Sequence, residues 1–295
     1  MNMQEMVAKI MTGDGFIAAL DQSGGSTPKA LRAYGVSDEE WNGEAEMFAK
    51  IHEMRSRIIS SPSFSGDKVI GAILFEKTMD GMVEGKPTPQ ALKDLGVVPF
   101  IKIDKGLEEE ADGVQLMKPM PELDALLTRA KALGVFGTKE RSVINSANPS
   151  GIAAIVAQQF AVGRQVLAHG MVPILEPEYS IKADDRAAGE ELLRDEILKN
   201  LDALPAGAQI MLKLSIPVVP NTFKTLVDHP KVLKVVALSG GYSRPEACVE
   251  LAKNHGMIAS FSRALLEELR AGMSDAQFDA TLATAIDEIH CASVA

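Results

Sequence analysis

Short apolar runs separated by longer amphipathic segments form the main pattern of this sequence. Runs that alternate with helical patterns in this way are typical of parallel strands covered by helices. The apolar runs lie at Phe16–Leu20, Val69–Phe75, Val98–Ile103, Ser142–Ile144, Val172–Leu175, Ile210–Ile216, Val235–Leu238 and Met257–Phe261. Eight strand–helix repeats close a barrel, so we predict the α/β class and a (β/α)8 TIM barrel.

Helical spacing is clearest in three segments. Ser37 and Glu40 form a capping box, which predicts that a covering helix follows. A second helix is expected from about residue 184 to residue 204, and a third over Ser274–Ile289 with Ser274 as its cap. The polar segment Lys105–Pro119 is expected either to shape the mouth of the barrel or to be a solvated surface loop.

Length and composition fit one globular unit. The 295 residues suit a single barrel domain over residues 1–295, with an N-terminal helix and a short C-terminal helical tail. Hydrophobic residues make up 46% of the chain and charged residues 24%, which is ordinary for a protein with a buried core. The formal charge of -10 repels nucleic acid and anionic membranes, so we expect neither partner.

Cysteine usage and the N-terminus bear on location. Cys248 and Cys291 have no paired spacing, which fits a reducing compartment. The segment Met1–Thr12 lacks the basic start and apolar core of a signal peptide, and no apolar run reaches spanning length. We therefore expect a cytoplasmic protein. The sequence leaves its oligomeric state open, although the covering helices could form a homo-oligomer interface.

The predicted sixth strand carries an unusual lysine. Side chains alternate between the faces of a strand, so Met211, Lys213 and Ser215 share one face and the opposite face is aliphatic. The aliphatic face packs against helices, which points Lys213 into the barrel, where a charged amine is unfavourable unless it is paired or neutral. Lys213 is therefore a candidate catalytic amine. The alternative is a lysine near a strand end whose amine reaches water.

Charged side chains also gather at the predicted C-terminal strand ends. Glu176 and Glu178 share a face of the fifth strand, where they could divide acid and base roles or form a salt bridge at the rim. The other charged residues at these ends are Asp21, Glu76, Lys102 and Asp104, with Lys139 and Arg141 flanking the fourth strand. Barrel enzymes assemble their active sites at this end, so the pattern predicts an active site.

Three glycine- and serine-rich turns are candidate anion sites. Ser239–Ser243 and Ser260–Arg263, which include Gly240, Ser262 and Arg263, follow the last two strands, where barrels commonly bind phosphate. The turn Ser23–Ser26 follows the first strand and could hold a second anion. Each turn could equally be an ordinary connection between elements.

Several familiar motifs are missing from the sequence. No two of the five histidines have metal-ligand spacing, and none follows a predicted strand. Neither a phosphate-binding P-loop nor a Gly-x-Gly-x-x-Gly turn after a strand is present. We therefore predict no metal site and no cofactor.

Seven motifs resemble class I fructose-bisphosphate aldolases and occur in the order of that family. They are Gly15-Phe-Ile-Ala-Ala-Leu-Asp-Gln-Ser-Gly-Gly-Ser26, Ile73-Leu-Phe-Glu76, Ile101-Lys-Ile-Asp-Lys-Gly106, Leu175-Glu-Pro-Glu178, Met211-Leu-Lys213, Leu238-Ser-Gly-Gly241 and Phe261-Ser-Arg-Ala264. The resemblance covers about Gly15 to Ala264. The short C-terminal tail is more similar to the bacterial branch of the family.

The resemblance implies a role for each catalytic candidate. Lys213 matches the lysine that forms a Schiff base, Glu176 the main general acid and base, and Asp21 the carboxylate that handles the proton of the C4 hydroxyl. Lys139 and Arg141 match a basic pair beside the reacting carbons. Glu178 matches a carboxylate that supports the Schiff-base lysine.

The same resemblance implies two phosphate sites. Ser239, Gly240 and Arg263 match positions that bind the C1 phosphate, and Ser23, Ser26 and Lys102 match positions that contact the other phosphate. The implied reaction is reversible cleavage of fructose 1,6-bisphosphate to dihydroxyacetone phosphate and glyceraldehyde 3-phosphate. Alternatives are a Schiff-base aldolase for another sugar phosphate and a non-catalytic barrel that serves as a scaffold.

Three departures from the vertebrate pattern affect these expectations. Ala30 stands where an arginine is usual, and Gln22 stands where a glutamate is usual. The chain ends at Ala295 without the terminal tyrosine that assists proton exchange in the animal enzymes. The group that protonates the enamine is therefore left unassigned.

Overall fold

A computed structural model describes residues 1–295, and its centre is a parallel sheet of eight strands that follow one another in chain order. The strands are β1 (Phe16–Leu20), β2 (Val69–Leu74), β3 (Val98–Lys102), β4 (Gly137–Ile144), β5 (Val172–Tyr179), β6 (Ile210–Ser215), β7 (Val232–Leu238) and β8 (Met257–Ala259). The Ala19 amide donates a 3.3 Å hydrogen bond to the Phe261 carbonyl, which brings the last strand back to the first. The predicted (β/α)8 barrel is confirmed.

Helices connect and cover these strands. They are α1 (Met3–Thr12), α2 (Thr27–Tyr34), α3 (Gly43–Ile59), α4 (Glu76–Met79), α5 (Thr88–Asp94), α6 (Leu123–Ala132), α7 (Pro149–Ala168), α8 (Arg186–Asp202), α9 (Lys224–Val227), α10 (Arg244–Leu251), α11 (Arg263–Leu266) and α12 (Asp275–Ser293). None of them combines the length and apolarity needed to cross a lipid bilayer.

The fourth strand is longer than the sequence pattern predicts. We expected it at Ser142–Ile144 with Lys139 and Arg141 as flanking residues, but β4 begins at Gly137 and contains both. Its N-terminal half pairs with β3, and all of it pairs with β5. The prediction was wrong because the charged residues interrupt the apolar run, whereas in the structure they point into the polar end of the barrel.

The faces of the strands divide the core into two parts. Met211 and Ile174 belong to an apolar cluster inside the barrel, whereas their chain neighbours Leu212 and Leu175 belong to the larger cluster between barrel and helices. The alternation predicted for the sixth strand is therefore confirmed. Helix α1 contributes Met6 and Ile10 to the inner cluster and contacts β2, β3 and β7, so it covers the N-terminal end of the barrel.

Two helix boundaries and one loop differ from expectation. The Ser37–Glu40 capping box is present, but it caps a short 3-10 turn, and α3 begins only at Gly43. The second predicted helix corresponds to α8 and ends at Asp202, while Ser274 caps α12 as predicted. The loop after β3 contains a two-residue strand, Val114–Gln115, that pairs antiparallel with the end of β4.

Candidate active site

One cavity of about 420 Å³ opens at the C-terminal end of the barrel. Thirteen of the residues predicted for the site line it, namely Asp21, Ser23, Ser26, Lys102, Lys139, Arg141, Glu176, Glu178, Lys213, Ser239, Gly240, Ser262 and Arg263. The polar loop after β3 contributes no residue to its wall, and Glu76 instead pairs with Lys105 and Arg129 elsewhere on the surface. These residues come from four strands, β3 to β6, and from the segments that directly follow β1, β7 and β8.

Lys139 is the centre of a buried charged cluster. Its Nζ atom lies 2.5 Å from Asp21 Oδ2 and 2.9 Å from Glu176 Oε2. The exposed fractions of Lys139, Asp21 and Glu176 are only 3%, 8% and 3%. Buried charges are tolerated when they are paired, so each member of this cluster depends on the others for its ionised form.

These contacts fix the protonation of the cluster. Burial works against the charge on the Lys139 amine, but Asp21 and Glu176 outweigh burial and raise the pKa of Lys139 above its ordinary value. Burial would likewise raise the pKa of Asp21, but Lys139 and Lys213 outweigh it and hold that pKa well below the ordinary value. The pKa of Glu176 is lowered against burial by the same two amines. Lys139 is therefore a permanent cation between two carboxylates at neutral pH.

Lys213 lies on the other side of Glu176. Its Nζ atom is 3.2 Å from Glu176 Oε1, and the residue is 4% exposed. Ser215, which shares its face of β6, donates a hydrogen bond from Oγ to the Tyr179 carbonyl at 2.6 Å. The amine of Lys213 is thus held beside a proton acceptor at the floor of an open cavity, which is the arrangement that a nucleophilic amine requires.

Two further ion pairs lie at the edge of this cluster. Arg141 Nε donates to Glu178 Oε2 at 2.6 Å, so the carboxylate that was predicted to support Lys213 contacts an arginine instead. Lys102 Nζ donates to Asp104 Oδ1, also at 2.6 Å. Both cations face the cavity and provide positive charge for an anionic ligand.

The loops after β7 and β8 meet beside the cavity. Gly240 and Gly241 have φ angles of +61° and +127°, and a Cβ atom on Gly240 would lie 2.5 Å from the Ile181 side chain. A Cβ atom on Gly241 would lie 3.9 Å from Nη2 of Arg263, so that guanidinium sits directly beside the glycine turn. Glycine is therefore required for this backbone path.

The turn after β1 is closed by its own serines. Ser23 donates its backbone N–H to Ser26 Oγ at 3.1 Å, and Ser26 Oγ donates to the Ser23 carbonyl at 3.3 Å. Helix α2 begins directly afterwards at Thr27. The turn lines the same cavity as the Gly240 loop, which is compatible with a second anion-binding position.

The sequence analysis assigned no site role to the part of the cavity formed by helices. Lys29, Ala30, Ala33 and Tyr34 of α2 and Met54 of α3 line one wall. These residues lie on amphipathic helices, where the same spacing is typical of ordinary core and surface positions. Only the position of α2 directly after the Ser23–Ser26 turn could have indicated them.

Two buried polar residues behind the cavity were also missed. Arg55 of α3 is completely buried and donates hydrogen bonds to the turn that carries Asp21. Glu140 lies between Lys139 and Arg141 on β4, is completely buried, and has no hydrogen-bond partner at either carboxylate oxygen. Burial raises the pKa of Glu140 well above its ordinary value, and Asp104 adds to that effect.

The arrangement can perform covalent carbonyl chemistry. A buried amine, an adjacent carboxylate and a second carboxylate on the same fixed cation supply a nucleophile and two proton-transfer groups. No group of three or more His, Cys, Asp or Glu side chains is arranged to hold a metal ion.

Comparison with known proteins agrees with this architecture. The family model described as fructose-bisphosphate aldolase class-I matches residues 2–212, a range that includes β1 to β5 and ends just before Lys213. A fructose-bisphosphate aldolase structure from Plasmodium falciparum has a TM-score of 0.78 and 20% identity, covering 98% of this chain and 94% of the other. A Corynebacterium glutamicum protein has a TM-score of 0.56 and 14% identity, with coverages of 98% and 92%.

The two structural comparisons show that the barrel fold is shared. The family match spans most of the chain, including the first five strands of the barrel. An aldolase role accords with the buried amine and its carboxylates. The chain therefore belongs to the class-I fructose-bisphosphate aldolase family.

Proposed function

We propose that this protein catalyses reversible aldol cleavage of fructose 1,6-bisphosphate through a Schiff base on Lys213. The observation that carries the proposal is the contact of 3.2 Å between Lys213 Nζ and Glu176 Oε1, in a cluster whose other carboxylate is Asp21. The products are dihydroxyacetone phosphate and glyceraldehyde 3-phosphate. The family match supports an aldolase, and the two candidate anion-binding groups in the cavity wall, the Ser23–Ser26 turn and the Gly240 loop, favour a substrate with two phosphates.

In the first step the neutral amine of Lys213 attacks the C2 ketone of the substrate. Glu176 is ionised because its pKa is lowered against burial by Lys139 and Lys213, so it accepts the proton that the nitrogen loses. The alkoxide formed at C2 takes up one proton from solvent to give the carbinolamine, and Glu176 then returns its own proton to the C2 hydroxyl, which leaves as water. The product is an iminium ion, an electron sink that permits cleavage without a bound metal ion.

In the second step Asp21 removes the proton of the C4 hydroxyl. The O–H electron pair forms the new carbonyl of glyceraldehyde 3-phosphate, the C3–C4 bond breaks, and its electrons move to the iminium nitrogen to form an enamine. Protonation at C3 and hydrolysis of the imine release dihydroxyacetone phosphate. The donor of the C3 proton stays unassigned.

Lys139 serves both steps without changing its own charge. Burial opposes the cation, but contact with Asp21 and Glu176 raises the pKa of Lys139. Because Lys139 contacts both carboxylates, it keeps them ionised in a place where burial alone would protonate them. It also keeps both proton-transfer groups within contact distance of one ammonium group.

The phosphates account for the cations and turns around this cluster. Ser239, Gly240 and Arg263 line the cavity and suit the C1 phosphate, because backbone N–H groups and a guanidinium are strong phosphate donors. Ser23, Ser26 and Lys102 line the same cavity and suit the second phosphate of the substrate.

Borohydride trapping tests this proposal. The full chain is incubated with dihydroxyacetone phosphate and a chelator, reduced with borohydride, and digested for peptide mass spectrometry. In the wild type we expect a stable adduct on Lys213. The Lys213→Arg variant should form no adduct, because a guanidinium cannot form the imine. The Lys234→Arg variant should form the Lys213 adduct at the wild-type level. Lys234 is a suitable control because burial lowers its pKa and it lies on β7 outside the cavity.

Either of two results would overturn the proposal. An adduct on a lysine other than Lys213 would show that the nucleophile lies elsewhere. Absence of any adduct, with cleavage abolished by the chelator, would point to a metal-dependent reaction instead.

A further inference from the structure

Arg55 is a completely buried charged residue that the proposed reaction does not use. Its side chain is 0% exposed on α3, outside the cavity wall. Nη2 donates to the Gln22 carbonyl at 2.6 Å and to Gln22 Oε1 at 3.1 Å, and Nη1 donates to Thr78 Oγ1 at 2.7 Å. Two of its three hydrogen bonds therefore hold the residue that directly follows Asp21.

No carboxylate contacts this guanidinium. All of its acceptors are neutral, and its Nε–H has no partner. Burial lowers the pKa of Arg55 to about 9, while the charge of Asp21 acts in the opposite direction. A buried charge without an ion-pair partner weakens a fold, so packing stability does not explain an arginine at this position.

Gln22 transmits the contact from Arg55 to the loop after β8. Its Nε2 atom donates to Ser262 Oγ at 2.6 Å and to the Ala19 carbonyl at 3.3 Å. Ser262 immediately precedes Arg263, which lines the same cavity. A continuous chain of hydrogen bonds therefore runs from α3 through the end of β1 to the loop after β8.

We propose that Arg55 is a positioning residue that acts through Gln22 to hold Asp21 at its working position between Lys139 and the substrate. The inference rests on the proposed function, because it concerns the group that removes the C4 proton. Asp21 already contacts Lys139 at 2.5 Å, but that contact alone leaves the carboxylate free to swing with the turn that carries it. Arg55 and Thr78 fix this turn from behind, on elements outside the cavity.

The test separates cleavage from imine formation. Arg55→Met removes the guanidinium while keeping an apolar stem of similar length. We expect kcat for cleavage of fructose 1,6-bisphosphate to fall by about 10²-fold, the size of effect given by a displaced general base. Trapping of saturating dihydroxyacetone phosphate on Lys213 should stay within about twofold of the wild type, because imine formation does not use Asp21.

A double-mutant cycle with Asp21→Asn identifies the route of the effect. If Arg55 acts on Asp21, Arg55→Met should lower the residual kcat of Asp21→Asn by less than about twofold. A loss of about 10²-fold in that background would mean that Arg55 acts elsewhere, and the inference would be wrong. Unchanged cleavage in Arg55→Met alone would also overturn it.

Controls distinguish positioning from a general loss of stability. Arg186→Met removes another buried arginine, which bonds to Glu190 and the Ile216 carbonyl outside the cavity, and should leave kcat unchanged. Added guanidinium chloride at millimolar concentration should partly restore kcat in Arg55→Met and have no such effect on Arg186→Met. If Arg55→Met does not fold, Thr78→Val removes one anchor of the guanidinium and should lower kcat while retaining trapping.

The result also separates this inference from the proposed function. A wild-type adduct on Lys213 together with undiminished cleavage in Arg55→Met would overturn the role of Arg55 alone. Failure of the wild type itself to form the adduct would overturn the proposed function, and the role of Arg55 would fall with it.

Discussion

Glu176 and Lys213 meet across two neighbouring strands whose backbone register sets their contact. Leu175 of β5 pairs with Leu212 of β6, so the residues that follow them stand opposite each other on the inner face of the barrel. The resulting distance between Glu176 Oε1 and Lys213 Nζ is 3.2 Å. The geometry of the nucleophile therefore depends on rigid strands rather than on loops, which keeps a reactive pair within proton-transfer distance.

Asp21→Asn should separate the two halves of the reaction. The amide keeps the shape of the carboxylate but cannot accept the C4 hydroxyl proton, so we expect kcat for cleavage to fall by about 10²- to 10⁴-fold. The Lys213 adduct with dihydroxyacetone phosphate should still form at the wild-type level. If the adduct is lost as well, Asp21 acts before C3–C4 cleavage and its proposed role is wrong.

Lys139→Met should shift the pH dependence of the residual activity. Burial alone would raise the pKa of Asp21 and of Glu176, and Lys139 is the largest influence that lowers each of them. The working form has both carboxylates ionised and is lost as pH falls through these depressed values. Removing the ammonium group raises both pKa values, so the acid limb of kcat/KM should move to higher pH by at least about one unit.

The control for this pH profile is Lys234→Met, at a lysine on β7 outside the cavity. Its acid limb should coincide with that of the wild type. A Lys139→Met profile that falls in amplitude without moving along the pH axis would contradict the electrostatic role of Lys139.

Gly240→Ala should impair binding of the phosphate end of the substrate. The added Cβ would lie 2.5 Å from Ile181, at a backbone φ of +61°, so the loop that carries Ser239 must shift. We expect KM for fructose 1,6-bisphosphate to rise by at least about tenfold, because this is the effect expected from the loss of one charge-assisted hydrogen bond to phosphate. Steady-state kinetics with fructose 1-phosphate should show a rise of the same size, because both substrates share the C1 phosphate.

Gly207→Ala provides a matched comparison. Gly207 also has a positive φ, +78°, but a Cβ there would meet no atom within 4 Å. The variant should lose about 1 kcal/mol of unfolding free energy through backbone strain alone and keep the wild-type KM. Equal KM values in Gly240→Ala and the wild type would show that the Gly240 loop does not contribute to substrate binding.

Glu140→Gln should stabilise the protein, and more so at higher pH. Burial, with a contribution from Asp104, raises the pKa of Glu140 well above its ordinary value of 4.5. The folded state thus retains a proton that the unfolded state has lost, so the contribution of Glu140 to stability is most favourable below about pH 4.5 and is lost as pH rises towards the folded-state pKa. The neutral amide of the Glu140→Gln variant does not titrate, so the variant does not lose stability at this position as pH rises.

Denaturant unfolding at two pH values measures the effect. At pH 8 the Glu140→Gln variant should gain about 1 kcal/mol or more of unfolding free energy over the wild type, and at pH 4 the difference should largely vanish. A gain that is the same at both pH values would mean that the carboxyl group does not titrate differently in the folded state.

The strand pattern and the inward side chains were predictable because strand periodicity is local. Lys213 alternates with aliphatic neighbours, and the same rule applied to β4 would have placed Lys139 and Arg141 on one face and Glu140 on the other. We limited the predicted strand to the apolar run Ser142–Ile144, because three consecutive charged residues, Lys139 to Arg141, are more typical of a loop. Their alternation with Thr138 and Ser142 was the available signal.

The connections behind the site were not predictable from local pattern. Arg55 and Gln22 are separated by 33 residues, and an arginine within an amphipathic helix ordinarily faces solvent. Only the packing of α3 against the end of β1 turns this side chain inward. The pairing of Arg141 with Glu178 has the same origin, because it depends on the alignment of β4 with β5.

The α2 wall has a consequence for redesign of this scaffold. Ala30 and Ala33 present only methyl groups to the cavity, on a helix that contributes nothing to the Lys139 cluster. Larger or charged side chains there would reshape the volume available to an incoming aldehyde while leaving the nucleophile and its carboxylates untouched. Directed evolution of acceptor preference should therefore begin with a small library at these two positions, where new selectivity can arise without rebuilding the chemistry.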